Sequence, residues 1–333
     1  MNLFLTNQCN ESCSFCYAED YFKGAPKAER KQYEVTVESL RAYAALVKAH
    51  GDLPMHDPDH DELTRSYYSA SCVNLLGGEP SIHPFFDEVV DLIRNELKLG
   101  VIVFTNGGFP KRIAKLKDRV WSVTINGHFA ERAPKMGFEM HRVFANLPVR
   151  PTDDIIARLT VIRDAGIKGM FMAFATPAGS ARDAAFTPDD LLRMKEVHAK
   201  ALEFCAANEI YLGYDCSFPL CVDERVGQTK CSSVPVMDAQ GHISICGGDY
   251  YYNSAKRHVS TFATLDELHA YTMAVQTGLR GLPSEFDVCN KCEHFNKACN
   301  GMCLSYRVKP AKFDEGVAAA AAAASVIKAP SAA

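Results

Sequence analysis

Leu3-Phe4-Leu5-Thr6-Asn7-Gln8-Cys9-Asn10-Glu11-Ser12-Cys13-Ser14-Phe15-Cys16 runs from an apolar stretch straight into three closely spaced thiols. The apolar stretch reads as a short buried strand near residues 2–6, with the thiols on the loop that leaves it. Three thiolates on one loop can hold three irons of a [4Fe–4S] cube and leave the fourth iron open to another ligand. The same spacing also suits a zinc site that lacks its fourth ligand.

Outward from this loop the chain alternates short apolar runs with helical patterns. Further strands fit near 72–76, 101–105, 120–125 and 168–175, and helices near 35–50, 84–98, 110–117, 152–165 and 187–207. The strand runs are apolar on both faces, as buried parallel strands are. Strand–helix repetition implies βαβ units with right-handed crossovers. Five or six units in the first 215 residues are too few for a closed eight-fold barrel of roughly 250 residues, so an open partial barrel is expected. Residues 51–70 interrupt the pattern with a polar loop rich in Asp and His, read as solvated. The expected division is a barrel over 1–215, a cysteine-rich domain over 216–313, and an Ala-rich tail without chemistry over 314–333.

The chain has 333 residues, 47% hydrophobic and 23% charged, enough for a large core. Its 36 basic and 40 acidic residues give a net charge of −4, so no basic surplus points to nucleic acid. No apolar run approaches the roughly 20 residues needed to span a bilayer, and no secretory signal is visible. A cytoplasmic protein is expected, with no membrane partner. Of thirteen cysteines, three are Cys9, Cys13 and Cys16, eight fall between Cys216 and Cys303, and Cys72 and Cys205 stand alone as core residues. Clustered thiols in such a chain read as ligands for zinc or iron–sulfur rather than as disulfides.

The triad, with the aromatic Phe15 before its third cysteine, resembles the radical S-adenosylmethionine (radical SAM) superfamily. Three further stretches are similar to that family's motifs, each at the C-terminal end of an expected strand. They are Gly77-Gly78-Glu79-Pro80, Thr105-Asn106-Gly107 and Thr124-Ile125-Asn126-Gly127. The resemblance implies that Phe15, Gly77, Gly78, Glu79, Pro80, Thr105, Asn106, Thr124 and Asn126 bind the cofactor, with Glu79 on the methionine ammonium. Asn-Gly is also an ordinary turn dipeptide.

The spacings Cys231-x9-Gly241-x4-Cys246 and Cys289-x2-Cys292-x6-Cys299-x3-Cys303 resemble the SPASM domain, which holds two auxiliary [4Fe–4S] clusters. The chain departs from that family in one extra residue before Cys299 and in having no cysteine after Cys303. Adding Cys216 and Cys221 to the nine motif cysteines makes eleven thiolates, enough for three clusters in all. The resemblance assigns Cys231, Cys246, Cys303 and an upstream cysteine, taken as Cys221, to the first auxiliary cluster. It assigns Cys289, Cys292 and Cys299 to the second, whose closing ligand stays open between Cys216, Cys221, an oxygen group and none. A pair of zinc ribbons is the competing reading. Asp249, three residues after Cys246, is a catalytic candidate by the same resemblance, or an Asx turn.

A partial (β/α)6 barrel of radical SAM type followed by a small SPASM domain is thus implied. The implied chemistry is reductive cleavage of SAM to a 5′-deoxyadenosyl radical that abstracts hydrogen from a substrate carbon. The implied substrate is a ribosomal peptide or protein side chain, to be crosslinked, oxidised, epimerised or joined through a thioether. An electron donor such as flavodoxin or ferredoxin is implied as a partner. With the thiol loop at residue 9, a leader-peptide-recognition domain is not expected at the N-terminus, so a separate leader-binding protein joins the expected partners. The alternatives are a sugar or aminocyclitol dehydrogenase or epimerase acting on a small molecule, and a non-catalytic iron–sulfur electron carrier. The Gly-Gly-Glu-Pro stretch, which electron transport does not need, argues against the carrier.

Overall fold

The computed structural model describes residues 1–16, 30–51, 71–174, 180–181, 187–214, 219–224, 234–245, 256–301 and 303–307. Strand and helix alternate through its first half: β1 (Asn2–Thr6), α1 (Arg30–His50), β2 (Cys72–Gly77), α2 (Phe86–Asp91), β3 (Gly100–Thr105), α3 (Pro110–Ala114) and β4 (Ser122–Asn126). A ten-residue 3-10 segment, Gly127–Met136, follows, then β5 (Val143–Val149), α4 (Ile155–Asp164), β6 (Gly169–Phe174), α5 (Pro188–Ala207) and β7 (Tyr211–Tyr214). Strands β1 to β7 are parallel and adjacent in chain order, so the chain has the expected α/β class with a large parallel sheet.

The sheet does not stop at β1. β8 (Val236–Asp238) pairs parallel with β1, and β9 (His242–Ser244) and β10 (Arg257–His258) continue antiparallel from it. The expected cysteine-rich segment thus adds three strands to one ten-stranded sheet, open at β10 and β7. It then forms α6 (Leu265–Arg280) and the single turn α7 (Asp287–Asn290).

All five expected strands are present within two residues of their expected bounds. β5 and β7 are additional. Pro148 disguised β5, because proline cannot donate to a ladder and argues against a central strand. The register resolves this: β4 pairs with β5 only as far as Asn146, so Pro148 lies beyond the end of β4 and faces β6 alone.

Alternation along the strands separates two faces. Val101 and Val103 of β3, Val123 and Ile125 of β4, and Met170 and Met172 of β6 pack with Phe86, Val89, Ile93, Leu159 and Ile162 in the main core. Each such aliphatic or aromatic side chain contributes about 1.5–3 kcal/mol when fully buried. Cys72, Ile102 and Phe171, with Phe104 and Phe144, form a smaller group at the alternate positions. Polar residues share those positions, and Asn74 donates to Asn2 at 2.8 Å. Cys72 and Cys205 are core residues, as expected. Among the described residues, no helix is long and apolar enough to cross a membrane.

Candidate functional site

The turns leaving β1, β2, β3 and β4 meet at the C-terminal end of the sheet, where α/β folds place ligands. The first contact is between backbones. Gly78 N–H donates to Thr6 O and Glu79 N–H to Gln8 O, both at 2.8 Å. A Cβ on Gly77 would collide with Thr6 O, and one on Gly78 with Gln8 O. Gly77 also has φ +144°, a conformation that glycine alone adopts readily. The paired glycines therefore let the β2 turn lie directly against the entrance of the thiol loop.

Glu79 is fully buried. Its carboxylate accepts from Ser81 N–H at 3.0 Å, the Ser81 hydroxyl, the Thr105 hydroxyl at 2.9 Å and Asn106 N–H at 2.6 Å. The Thr105 hydroxyl, with one proton, is shared between the two carboxylate oxygens. The side chain thereby joins the β2 and β3 turns. Burial raises its pKa, and the hydrogen bonds from Ser81, Asn106 and Thr105 oppose that rise.

Asn106 carries the link onward. Its side-chain N–H donates to Asn10 Oδ1 at 2.9 Å and to Cys9 Sγ at 3.8 Å. Arg132, in the 3-10 segment, bonds Glu11 at 2.7 Å and Asn106 O at 3.1 Å. The far end of the loop is held as well. Phe15 stacks on His128 with ring centroids 4.1 Å apart, and Arg150 donates to Ser14 at 3.4 Å. Burial lowers the His128 pKa. Its Nε2–H donates to Pro148 O at 2.9 Å, since a carbonyl can only accept.

Cys9, Cys13 and Cys16 are all half-buried on this braced loop. Burial, then the neighbouring thiols Cys16 and Cys9, pushes Cys13 up to about 12. Burial likewise raises Cys9. Crowded thiols that resist ionisation alone are suited to a metal centre, whose positive charge supports all three thiolates. The donor set fits a [4Fe–4S] cluster. Among the described residues, no three His, Cys, Asp or Glu side chains form a group that could hold a single metal ion.

Thr124 is buried at an alternate position of β4, and Asn126 Oδ1 accepts His128 N–H at 3.0 Å, capping the 3-10 segment. Pro80 opens the turn that Glu79 caps. Asn10, Glu11, Ser81, His128, Arg132 and Arg150 were not singled out from sequence. Glu11 lies between two motif cysteines and His128 directly follows Asn126-Gly127, but no local pattern marks Arg132 or Arg150.

In the C-terminal part, Cys289 and Cys299 are buried, Cys303 is half-buried, and Cys292 and Cys221 are exposed. Cys216, Cys231, Cys246 and Asp249 lie outside the described residues.

No protein-family model matches the chain, and no curated protein matches it in sequence. Solved structures do. The crystal structure of Streptococcus suis SuiB bound to S-adenosylmethionine aligns with TM-score 0.58 and 14% identity, over 91% of this chain and 72% of SuiB. SuiB bound to the precursor peptide SuiA aligns with TM-score 0.61 and 14% identity, over 91% and 71%. The chain has the same fold as those structures.

Proposed function

We propose that this chain is a radical SAM enzyme whose cluster is held by Cys9, Cys13 and Cys16. One observation carries the reading: Glu79 and Asn106 tie the three-thiol loop to the turns after β2 and β3, so three separate motifs build one site. A fold in common with a structure that binds S-adenosylmethionine supports it. When bound, the cluster and S-adenosylmethionine would together supply a radical able to take a hydrogen atom from a substrate carbon. The chain's own part is positional. Arg132 and Glu11 fix one side of the loop, and Phe15 on His128 fixes the other. Neutral His128 adds no charge at the stack. The buried strands beneath the site limit access of water from below.

For the substrate we favour a peptide or protein side chain, supported by the fold in common with SuiB in its complex with a precursor peptide. In that reading a flavodoxin or ferredoxin supplies electrons and the C-terminal cysteines hold two auxiliary clusters.

The test is anaerobic reconstitution, reduction, and mass spectrometry for 5′-deoxyadenosine and methionine. We expect about twelve irons per chain for three four-iron clusters. Replacing Cys9, Cys13 and Cys16 together with Ala should remove about four of them and abolish cleavage. Iron-loaded, reduced protein that leaves S-adenosylmethionine intact would overturn the proposal.

A further inference from the structure

Strands β1 to β7 contain no Lys, Arg, Asp, Glu or His. On the face against the helices this is what a core requires, but the opposite face is not fully covered. Along β5, Val143, Ala145, Leu147 and Val149 are buried, while Phe144, Asn146 and Pro148, which point the other way, are half-buried. Leu76, Phe104 and Asn126, on that same face of β2, β3 and β4, are half-buried too. The inner face below the thiol loop is therefore accessible, and its strands are uncharged. At the rim, Arg132 and Arg150 are already paired, with Glu11 at 2.7 Å and Asp153 at 2.9 Å. Asp238, on neighbouring β8, accepts from Gln240 N–H and His242 N–H within its own turn.

Register sorts this face into two rows. Phe104, Thr124, Phe144 and Gly169 are neighbours across β3 to β6. One step nearer the thiol loop, Asn126, Asn146, Phe171 and Gly213 are neighbours across β4 to β7. The glycines decide how the rings lie. A Cβ on Gly169 would sit 2.7 Å from the Phe144 ring, and one on Gly213 would sit 2.8 Å from the Phe171 ring. Each ring thus leans over the glycine of the next strand instead of standing up from the sheet, the close approach that a glycine inside a strand permits. The Phe144 and Phe171 centroids are 6.2 Å apart with the rings tilted by 45°, so the two make one apolar surface. Asn126 and Asn146 stand side by side next to it, each a carboxamide with donor and acceptor atoms.

We propose that this face selects the substrate: it takes a neutral aliphatic or aromatic side chain of a peptide, laid on Phe104, Phe144 and Phe171, with Asn146 bonding the adjoining main-chain amide. The inference rests on the peptide reading above and adds the class of side chain. Apolar area placed on the rings leaves water, and the gain grows with that area. A carboxamide has the donors and the acceptor that complement a peptide amide, so the ligand's main chain stays hydrogen-bonded. A Lys, Arg, Asp or Glu side chain would enter without a counter-charge on β1 to β7 and would be penalised. The same penalty falls on a cationic aminocyclitol, which counts against the small-molecule alternative.

The probes are the N-acetyl amides of Phe, Leu, Lys and Glu, each one side chain on a peptide-like main chain. Their binding to the full chain, reconstituted with iron, is measured anaerobically by saturation-transfer NMR titration. The Phe and Leu amides should bind, and the Lys and Glu amides should bind at least about tenfold more weakly. Phe144→Ala should weaken the Phe amide by about tenfold, and Phe144→Leu, which keeps an apolar side chain, by less. Asn146→Asp places a carboxylate on the wall, so it should strengthen the Lys amide and weaken the Glu amide. A merely structural change would not move the two charged probes in opposite directions. Equal affinity for all four amides, or binding of none, would overturn the proposal. So would an Asn146→Asp variant that unfolds at the parent's temperature and keeps the parent's preference. Loss of Phe-amide binding on saturation with S-adenosylmethionine would assign the rings to the cofactor and overturn it as well. Binding is read here without turnover, so a chain that leaves S-adenosylmethionine intact fails the functional reading alone.

Discussion

Glu79 gains in the structure partners that its own motif does not name. As part of Gly77-Gly78-Glu79-Pro80 it reads as a ligand-binding carboxylate, and four protein donors bond to it. Glu79→Gln keeps the size but replaces one acceptor oxygen with an amide that donates, so a buried donor must face a donor. We expect a loss of about 1–3 kcal/mol of stability, measured by denaturant unfolding. Looser binding of the Cys9 loop should follow, through Asn106. Unchanged stability together with lost affinity for S-adenosylmethionine would return Glu79 to the ligand. Its presence at the site was legible, because the motif ends an apolar strand. Its partners were not, since Thr105 and Asn106 lie 26 and 27 residues away along the chain.

At the scale of elements, β5 shows how a local rule misleads when register is unknown. Pro148 cannot donate, but its place past Asn146 means that β4 asks nothing of it. Pro148→Ala should therefore shift stability by no more than about 0.5 kcal/mol. Ala145 is different: it is paired with Ile125 on one side and Met170 on the other. Ala145→Pro should cost about 3 kcal/mol or more, or prevent folding. Thermal unfolding of the two variants decides this, and equal effects would mean that the register is wrong. The other central strands were legible because they are apolar on both faces. β7, at four residues with Gly213 inside, carries too little pattern to be read.

Across the whole molecule, the sheet joins the two halves that composition separates. β1 lies between β2 and β8, so the cysteine-rich half covers an edge rich in Leu3, Phe4 and Leu5. A chain ended after residue 215 would leave β1 as an exposed apolar edge, which templates association. We expect it to aggregate in size-exclusion chromatography while the full chain does not; a stable monomer would contradict the role given to β8. The sequence by itself determined the α/β class, most strands of the parallel sheet and the three closely spaced thiols on the loop after β1. These rest on periodicity and on spacings of a few residues, which are local properties of the chain. Only the tertiary structure decided that Thr105 and Asn106 meet Glu79 and that Arg132 and His128 brace the loop. Such partners are set by sheet order and close packing, which bring together residues from tens to more than a hundred positions apart, and no short-range pattern records that distance.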